Sequence, residues 1–579
     1  MYIQKCVTLF CLSFLLANSL FAQDLTPFEK DSNQTATYTE TIAYYQSLAQ
    51  KYPKWFRLTA IGMTDAGLPL HVGVMSFDGT FTPAQARQRQ KLIFFVNNAI
   101  HPGEPEGVDA TMMLIRDYLK NPSRQSVLKN LVLVFIPMYN IDGALNRGRI
   151  SRINQNGPAA YGFRGNARNL DLNRDFIKAD SKNAQTFNQI YASWSPHVFM
   201  DNHTSNGADY QYTMTLIATQ KDKLNSYLAE YQQHALLPRL NKDMKAKGWD
   251  LIPYVNFEEK VEGGLMAFPD LPRYSSGYAA LHNAIGFIPE THMLKPFPQR
   301  VKSTYDLMEC LIRIASDDHQ KILAARAKAE TDVQTRTQFD LSWTLDTTRK
   351  ETIAFKGFES GYKPSEVSGL PRLYYDRTKP YEKTIPYFPH YKATQSVARP
   401  AYYVIPQAYS AVIDRLKWNG VKMTAFARDT LLEAEYYYIT DYKSSPNPYE
   451  GHHLNREVKV EKRNLQLPYH KGDVVIPTNQ PAARYIIETL EPQATDSFFA
   501  WNFFDGILNQ KEYFSAYVFE DVAAEVLKKN PELRKKLEER KAADPAFAAS
   551  AAAQLDFVYR NTEYFEPTFR RYPVARVMK

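Results

Sequence analysis

Between about residue 35 and residue 330, short apolar runs alternate with stretches whose apolar residues recur every three or four positions. Residues 91–96 (KLIFFV), 131–136 (LVLVFI), 197–201 (HVFMD) and 285–289 (IGFIP) read as buried strands, because each is short, apolar and bounded by turn or charged residues. After the first run, Val108, Met112, Ile115 and Leu119 keep helical spacing until Asn121-Pro122 stops them, which predicts a helix over 105–120. Repetition of strand, loop and helix predicts an α/β layer architecture. A long helical stretch from Val301 to Gln334 is expected to close this region at about residue 335.

From about 336 onward the pattern shifts to short Tyr- and Pro-rich segments, such as Pro400-Ala-Tyr-Tyr-Val-Ile-Pro406 and Glu435-Tyr-Tyr-Tyr-Ile-Thr440, separated by turn residues. These predict a second, β-rich domain over 336–579, an accessory to the first. Near its end, Asn530-Pro531 and Asp544-Pro545 each put a capping residue before a proline at the first helical position, so helices are expected there. In the charged run 528–541, Leu533 and Leu537 would turn inward.

Composition narrows the function classes. A chain of 579 residues that is 44% hydrophobic and 23% charged has the profile of a folded globular protein with room for two or more domains. Its net charge of +8 is spread thinly and contains no Lys/Arg block that would track nucleic-acid phosphates. At the N-terminus, Lys5 precedes an apolar run and Ala22 follows as a small residue, which reads as a secretory signal over 1–22. The run Val7–Ala17 is shorter than the ~20 residues that span a bilayer, so no stable membrane insertion is expected after cleavage. Cys6 and Cys11 lie inside the signal, leaving Cys310 alone in the mature chain and no internal disulfide. The apolar helical setting of Cys310 predicts a buried, inert thiol.

The densest chemistry lies in Asn97-Asn-Ala-Ile-His101-Pro-Gly-Glu104-Pro-Glu-Gly107, where a strand-to-helix turn carries His101 and Glu104 three apart. His203, in Asp201-Asn-His-Thr-Ser205, follows another predicted strand and is the candidate third ligand. Both turns would sit at strand carboxyl ends, where open α/β sheets place their sites. Two imidazoles and one carboxylate, with a coordination position left open, are the ligand set of a catalytic zinc, although imidazole also suits other transition metals.

With these residues the sequence resembles the zinc carboxypeptidase family, the carboxypeptidase A-like or funnelin metallopeptidases, over about residues 35–330. That family's ordered set of His-x-x-Glu, substrate Arg, Asn-Arg pair, third metal His and late strand-end Glu is matched by His101/Glu104, Arg152, Asn173-Arg174, His203 and Glu290. The resemblance implies a mixed, mostly parallel open sheet flanked by helices, one zinc ion, and peptide or protein C-termini as substrates. It implies that Asn173 and Arg174 hold the substrate carboxylate, that Arg152, preferred to the nearby Arg147, Arg149, Arg164 and Arg168 for its Arg-x-Asn setting, polarises the scissile carbonyl, and that Asp171 orients His101. Glu290 would be the general base, with His292 two residues on as the alternative. A capping tyrosine is expected from Leu271-Pro-Arg-Tyr274-Ser-Ser-Gly-Tyr278, and Tyr278, after a possible glycine hinge, is preferred to Tyr274. His452-His453 is read as surface. The expected function is an exported, periplasmic or secreted, metallocarboxypeptidase. The alternatives are an amidase or cell-wall peptide hydrolase on the same fold, and a polymer-binding protein with a vestigial zinc site. Oligomeric state and the preferred C-terminal residue are not legible in the sequence.

Overall fold

A computed structural model describes residues 25–257 and 261–578; the expected signal segment lies outside the described residues. An eight-stranded sheet forms the centre. Its strands are β1 (Phe56–Met63), β2 (Pro69–Met75), β3 (Leu92–Asn97), β4 (Leu131–Ile136), β5 (Val198–Asp201), β6 (His203–Ser205), β7 (Met214–Ala218) and, after the short β8 (Leu265–Met266) that belongs to another sheet, β9 (Ile285–His292). The order is β1-β2-β4-β3-β5-β9, with β6 continuing along the same side of β9 as β5 and β7 on its other side. The pairs from β4 to β9 and β6 are parallel, whereas β1, β2 and β7 join antiparallel. The predicted α/β sheet is thus present, and all four predicted strands are in it.

Successive side chains of a strand point to opposite faces, and the central strands feed two different cores accordingly. Leu92, Phe94 and Val96 of β3, with Leu131, Leu133 and Phe135 of β4, pack under the helices Glu106–Lys120 and Phe297–Asp317. Ile93, Phe95, Val132, Val134 and Ile136 pack on the opposite face, against the helices Lys182–Trp194 and Ser275–Leu281. Cys310 is buried in the first of these cores, and burial pushes its thiol up to about 11, as befits an unreactive group. The stretch 301–334 is two helices rather than one, Phe297–Asp317 and His319–Thr335, broken at Asp318.

The later region contains β10 (Gln338–Leu345), β11 (Glu351–Pro364), β12 (Pro371–Phe388), β13 (Tyr391–Ala398), β14 (Tyr402–Ile405), β15 (Thr424–Ala425), β16 (Thr430–Ser444), β17 (Asn455–Tyr469), β18 (Val474–Pro477) and β19 (Ala575–Val577). It is β-rich as expected. The capped terminal helices are also there: Asn530 caps Pro531–Ala543, which buries Leu533 and Leu537, and Asp544 caps the single turn Pro545–Ala548. The two regions share a buried core. Tyr403, Ile405, Leu416, Tyr485 and Ile486 join the same buried cluster as Phe95, Phe187, Tyr191 and Tyr278, and β12 pairs with β8 across the boundary. The second region therefore covers one face of the catalytic layer.

Candidate active site

The turn after β3 carries His101 and Glu104, and β6 begins at His203. All three are buried, and their ligand atoms lie within 4.8 Å of one another. His101 Nδ1 stands 3.2 Å from Glu104 Oε1 and His203 Nδ1 stands 3.2 Å from Glu104 Oε2, so both imidazoles turn the same nitrogen inward. Their outer nitrogens are each fixed by a carboxylate: His101 Nε2 is 2.9 Å from Asp171 Oδ1, and His203 Nε2 is 2.9 Å from Asp201 Oδ2. Ligating histidines are characteristically held this way, which sets the tautomer and strengthens the ligand. Buried His101 Nδ1 has no hydrogen-bond partner, as expected of an atom reserved for an ion. The donor set thus fits one zinc ion.

Burial by itself would raise the Glu104 carboxyl, but the neighbouring His101 and Arg152 charges and the hydrogen bond with His203 hold it well below the usual range. His203 moves the opposite way. Burial disfavours its charge, yet the Asp201 carboxylate and Glu104 raise its pKa well above that of free imidazole. The same site without an ion therefore favours a protonated His203 beside an ionised Glu104, and binding a cation displaces the proton from that imidazole.

Around this set opens a cavity of about 470 Å³ whose lining includes His101, Glu104, Arg152, Asn173, Arg174, His203 and Glu290. Parallel pairing aligns Glu290 with His203, which brings this carboxyl to the ligand edge. Its carboxyl is pushed upward by the low-dielectric surroundings and by Glu104, against the pull of His203, Arg164 and Arg152. Arg152 donates from Nη1 to Glu104 Oε1 at 2.9 Å, from Nη2 to the Thr204 carbonyl at 3.0 Å and from Nε to Gln155 at 2.7 Å. A guanidinium has five N–H groups, so donors on both terminal nitrogens remain for a ligand. Asp171 accepts from Asn173 N at 2.9 Å and caps the tight turn Leu172–Arg174, which presents the Asn173-Arg174 pair to the cavity.

The structure corrects three expectations. Tyr278 is fully buried, donates to Asn419 Oδ1 at 2.6 Å and packs on Phe176 and Tyr191, so it belongs to the core and not to the cavity. Tyr274 lines the cavity instead, its ring under the Arg174 guanidinium at 4.7 Å, and Tyr254 lines it too. His292 is buried against Tyr210, and burial pushes its pKa down to about 4; the metal group does not include it. His452 is no free surface group, because its Nε2 meets Asp180 Oδ2 at 2.7 Å across the two regions. Sequence reading also missed Asp201, and it held Arg164 only as a competitor of Arg152. The Asp-x-His spacing in an extended chain puts both side chains on one face and is a local signal for the first. Arg164, 2.9 Å from Asp171 and 3.4 Å from Glu104, had no signal that separates it from its neighbouring arginines.

Comparison with known proteins agrees with this geometry, since residues 41–250 match the model of the zinc carboxypeptidase family. This segment is similar to that family. The chain is 24% identical over 429 residues to carboxypeptidase 2 of Trichophyton rubrum, an alignment spanning 71% of this chain and 73% of that protein. A probable carboxypeptidase 2 of Trichophyton verrucosum is 23% identical over 422 residues, covering 69% of this chain and 75% of its own. Among solved structures, the carboxypeptidase A of Helicoverpa armigera aligns with a TM-score of 0.38 at 15% identity, over 51% of this chain and 75% of its own. The metallo-carboxypeptidase of Burkholderia cenocepacia gives 0.37 at 14% identity, over 49% and 70%. Zinc is the metal of the family, and His101, Glu104 and His203 are the group that could hold it.

Proposed function

We propose that this protein is an exported carboxypeptidase that hydrolyses the last peptide bond of chains ending in a free carboxylate, with Glu290 as the general base. The observation that carries the reading is a single cavity lined by the metal ligands, an acid at a strand end and an Asn-Arg pair. When bound, the ion supplies a Lewis acid that polarises the carbonyl and acidifies water. Arg174 grips the substrate carboxylate, with Asn173 beside it, because guanidinium and carboxylate match through two parallel hydrogen bonds. Arg152 offers its remaining N–H groups to the scissile carbonyl oxygen and to the charge that develops on it. Glu290 removes a proton from the attacking water and returns it to the leaving amine. Tyr274 and Tyr254 close the substrate side of the cavity.

Support for export is the charge, apolar run and small residue of the first 22 positions; among the described residues no helix is long and apolar enough to cross a membrane. The test is mass-spectrometric mapping of products from paired peptides, one with a free C-terminus and one amidated. Single-residue loss from the free member alone is expected. Equal cleavage of both would remove the carboxylate clamp, and internal cleavage would remove the carboxypeptidase reading.

A further inference from the structure

We propose that the C-terminal region takes part in catalysis through Glu450, a positioning residue that fixes Asp171 and, through it, the metal-binding His101. The inference rests on the carboxypeptidase reading of the site. Asp171 uses its side chain fully within the catalytic region: Oδ1 faces His101 Nε2 at 2.9 Å and accepts from Asn173 N, while Oδ2 accepts from Arg164 Nε at 2.9 Å. Its carbonyl accepts from Arg174 N at 3.0 Å. Its backbone N–H, by contrast, donates to Glu450 Oε2 at 2.8 Å, a partner 279 positions away in the other region. A carboxylate accepting from a backbone N–H is a charge-assisted bond, stronger than a neutral one.

Glu450 is itself held from both sides. It lies in a turn closed by reciprocal bonds between Tyr449 and His452, and it adopts φ 51°, the left-handed region that a side chain enters only when its surroundings impose it. On one flank, the Tyr449 ring stacks with buried Trp501, and the Arg273 guanidinium lies over both rings at 5.4 and 5.0 Å while pairing with Asp496 at 2.8 Å. On the other, His452 grips Asp180. Two anchors on the catalytic chain thus pin the turn, and the first adjoins Tyr274 in the cavity wall. Glu450 is absent from that wall, and its hydrogen bond to Asp171 links it to the metal-binding His101. Placing one carboxylate beside another is electrostatically unfavourable, and Arg164 and Arg174, at 2.9 and 3.9 Å from Asp171 Oδ2, offset it.

The experiment uses the full chain with Glu450→Ala, Glu450→Asp and Glu450→Gln. It reads three quantities: the rate of zinc loss to a chromophoric chelator, kcat and KM on a free-carboxylate peptide, and the melting temperature of the metal-free protein. Outer partners of metal ligands are worth about 10–100-fold in affinity or activity, and Glu450 stands one bond further out, so about 10-fold faster zinc loss and about 10-fold lower kcat/KM are expected for Glu450→Ala. Glu450→Gln keeps an acceptor oxygen and should restore both. Glu450→Asp withdraws the oxygen and should fall between them, which keeps the test open if the alanine variant does not fold. A metal-free melting temperature close to wild type in Glu450→Asp, with faster zinc loss, separates positioning from general stability. Wild-type zinc retention and kinetics in both Glu450→Ala and Glu450→Asp would overturn the inference, as would a glutamine variant as impaired as alanine. A wild-type protein with no zinc-dependent peptidase activity would instead overturn the reading beneath it.

Discussion

The two sides of the cavity are built by different means. On one, His203 and Glu290 stand in paired strands of the central sheet, and His101 and Glu104 lie in the buried turn that follows β3. On the other, residues 164–175 and 273–274 are irregular chain, and they take their positions from Arg164, from the cap of Asp171 and from the distant turn at 449–452. The metal-ligand group is thus set by the central sheet and the turn that follows β3, whereas the wall at Asn173 and Arg174 leans on polar contacts that reach into a second region. Placing metal ligands needs sub-ångström agreement among few atoms, which a sheet supplies; admitting and releasing a peptide suits the less regular wall.

The largest effect that would sharpen this contrast is expected from cutting the chain. A protein ending at residue 335 would expose the face now covered by Tyr403, Ile405, Tyr485 and Ile486, and should show no cooperative thermal unfolding by circular dichroism. A cooperative, active fragment would mean that the second region is dispensable to both sides of the cavity. Next, Glu290→Gln should lower kcat by about 10²–10⁴-fold, the range for a positioned general base, with bound zinc still near one per chain by atomic absorption. Loss of zinc in that variant would make Glu290 a ligand. Arg174→Met should raise KM for free-carboxylate peptides by about 10–100-fold, corresponding to the ~1.5–3 kcal/mol of a charged hydrogen bond, and should erase discrimination against amidated ones. An unchanged ratio of free to amidated turnover would place the clamp elsewhere.

The smallest effect concerns the scaffold beneath the cradle. Asp109, fully buried, accepts from Thr35 Oγ1 and Ala36 N, and burial together with nearby Glu106 raises its pKa to about 7. A carboxyl raised above its unfolded value of about 3.9 contributes stability fully below that value and loses it as pH climbs through 7. Asp109→Asn should therefore melt higher than wild type at pH 8, by about 2 °C or more, and show little gain at pH 4. A larger gain at pH 4 than at pH 8 would reverse the assigned sign.

Legibility in the sequence followed the same divide. Strands β3, β4, β5 and β9 announce themselves as short apolar runs, and His101, Glu104, His203 and Glu290 are marked by lying at or just beyond the ends of those runs. Asn173 and Arg174 stand out only through the family's ordered set, because such a pair alone reads as a local ion pair of Arg174 with Asp171 or Asp175. Tyr278 misled because a glycine before it suggests a hinge, whereas Gly277 is buried in the helix Ser275–Leu281 where a Cβ would meet the Leu271 carbonyl at 2.2 Å. That glycine serves close packing, not motion. The Asp318 break in the long helical stretch left no proline or glycine to mark it. The partnership of Asp171 with Glu450, and of Asp180 with His452, joins residues hundreds of positions apart and has no local signature at all.

Anomalous diffraction at the zinc edge from crystals of the full chain tests the cradle most directly. One peak is expected, within ligand distance of His101 Nδ1, His203 Nδ1 and a Glu104 oxygen, with Glu290 facing it but not bound. A peak coordinated by Glu290 or His292, or zinc bound away from these three side chains, would contradict the site described.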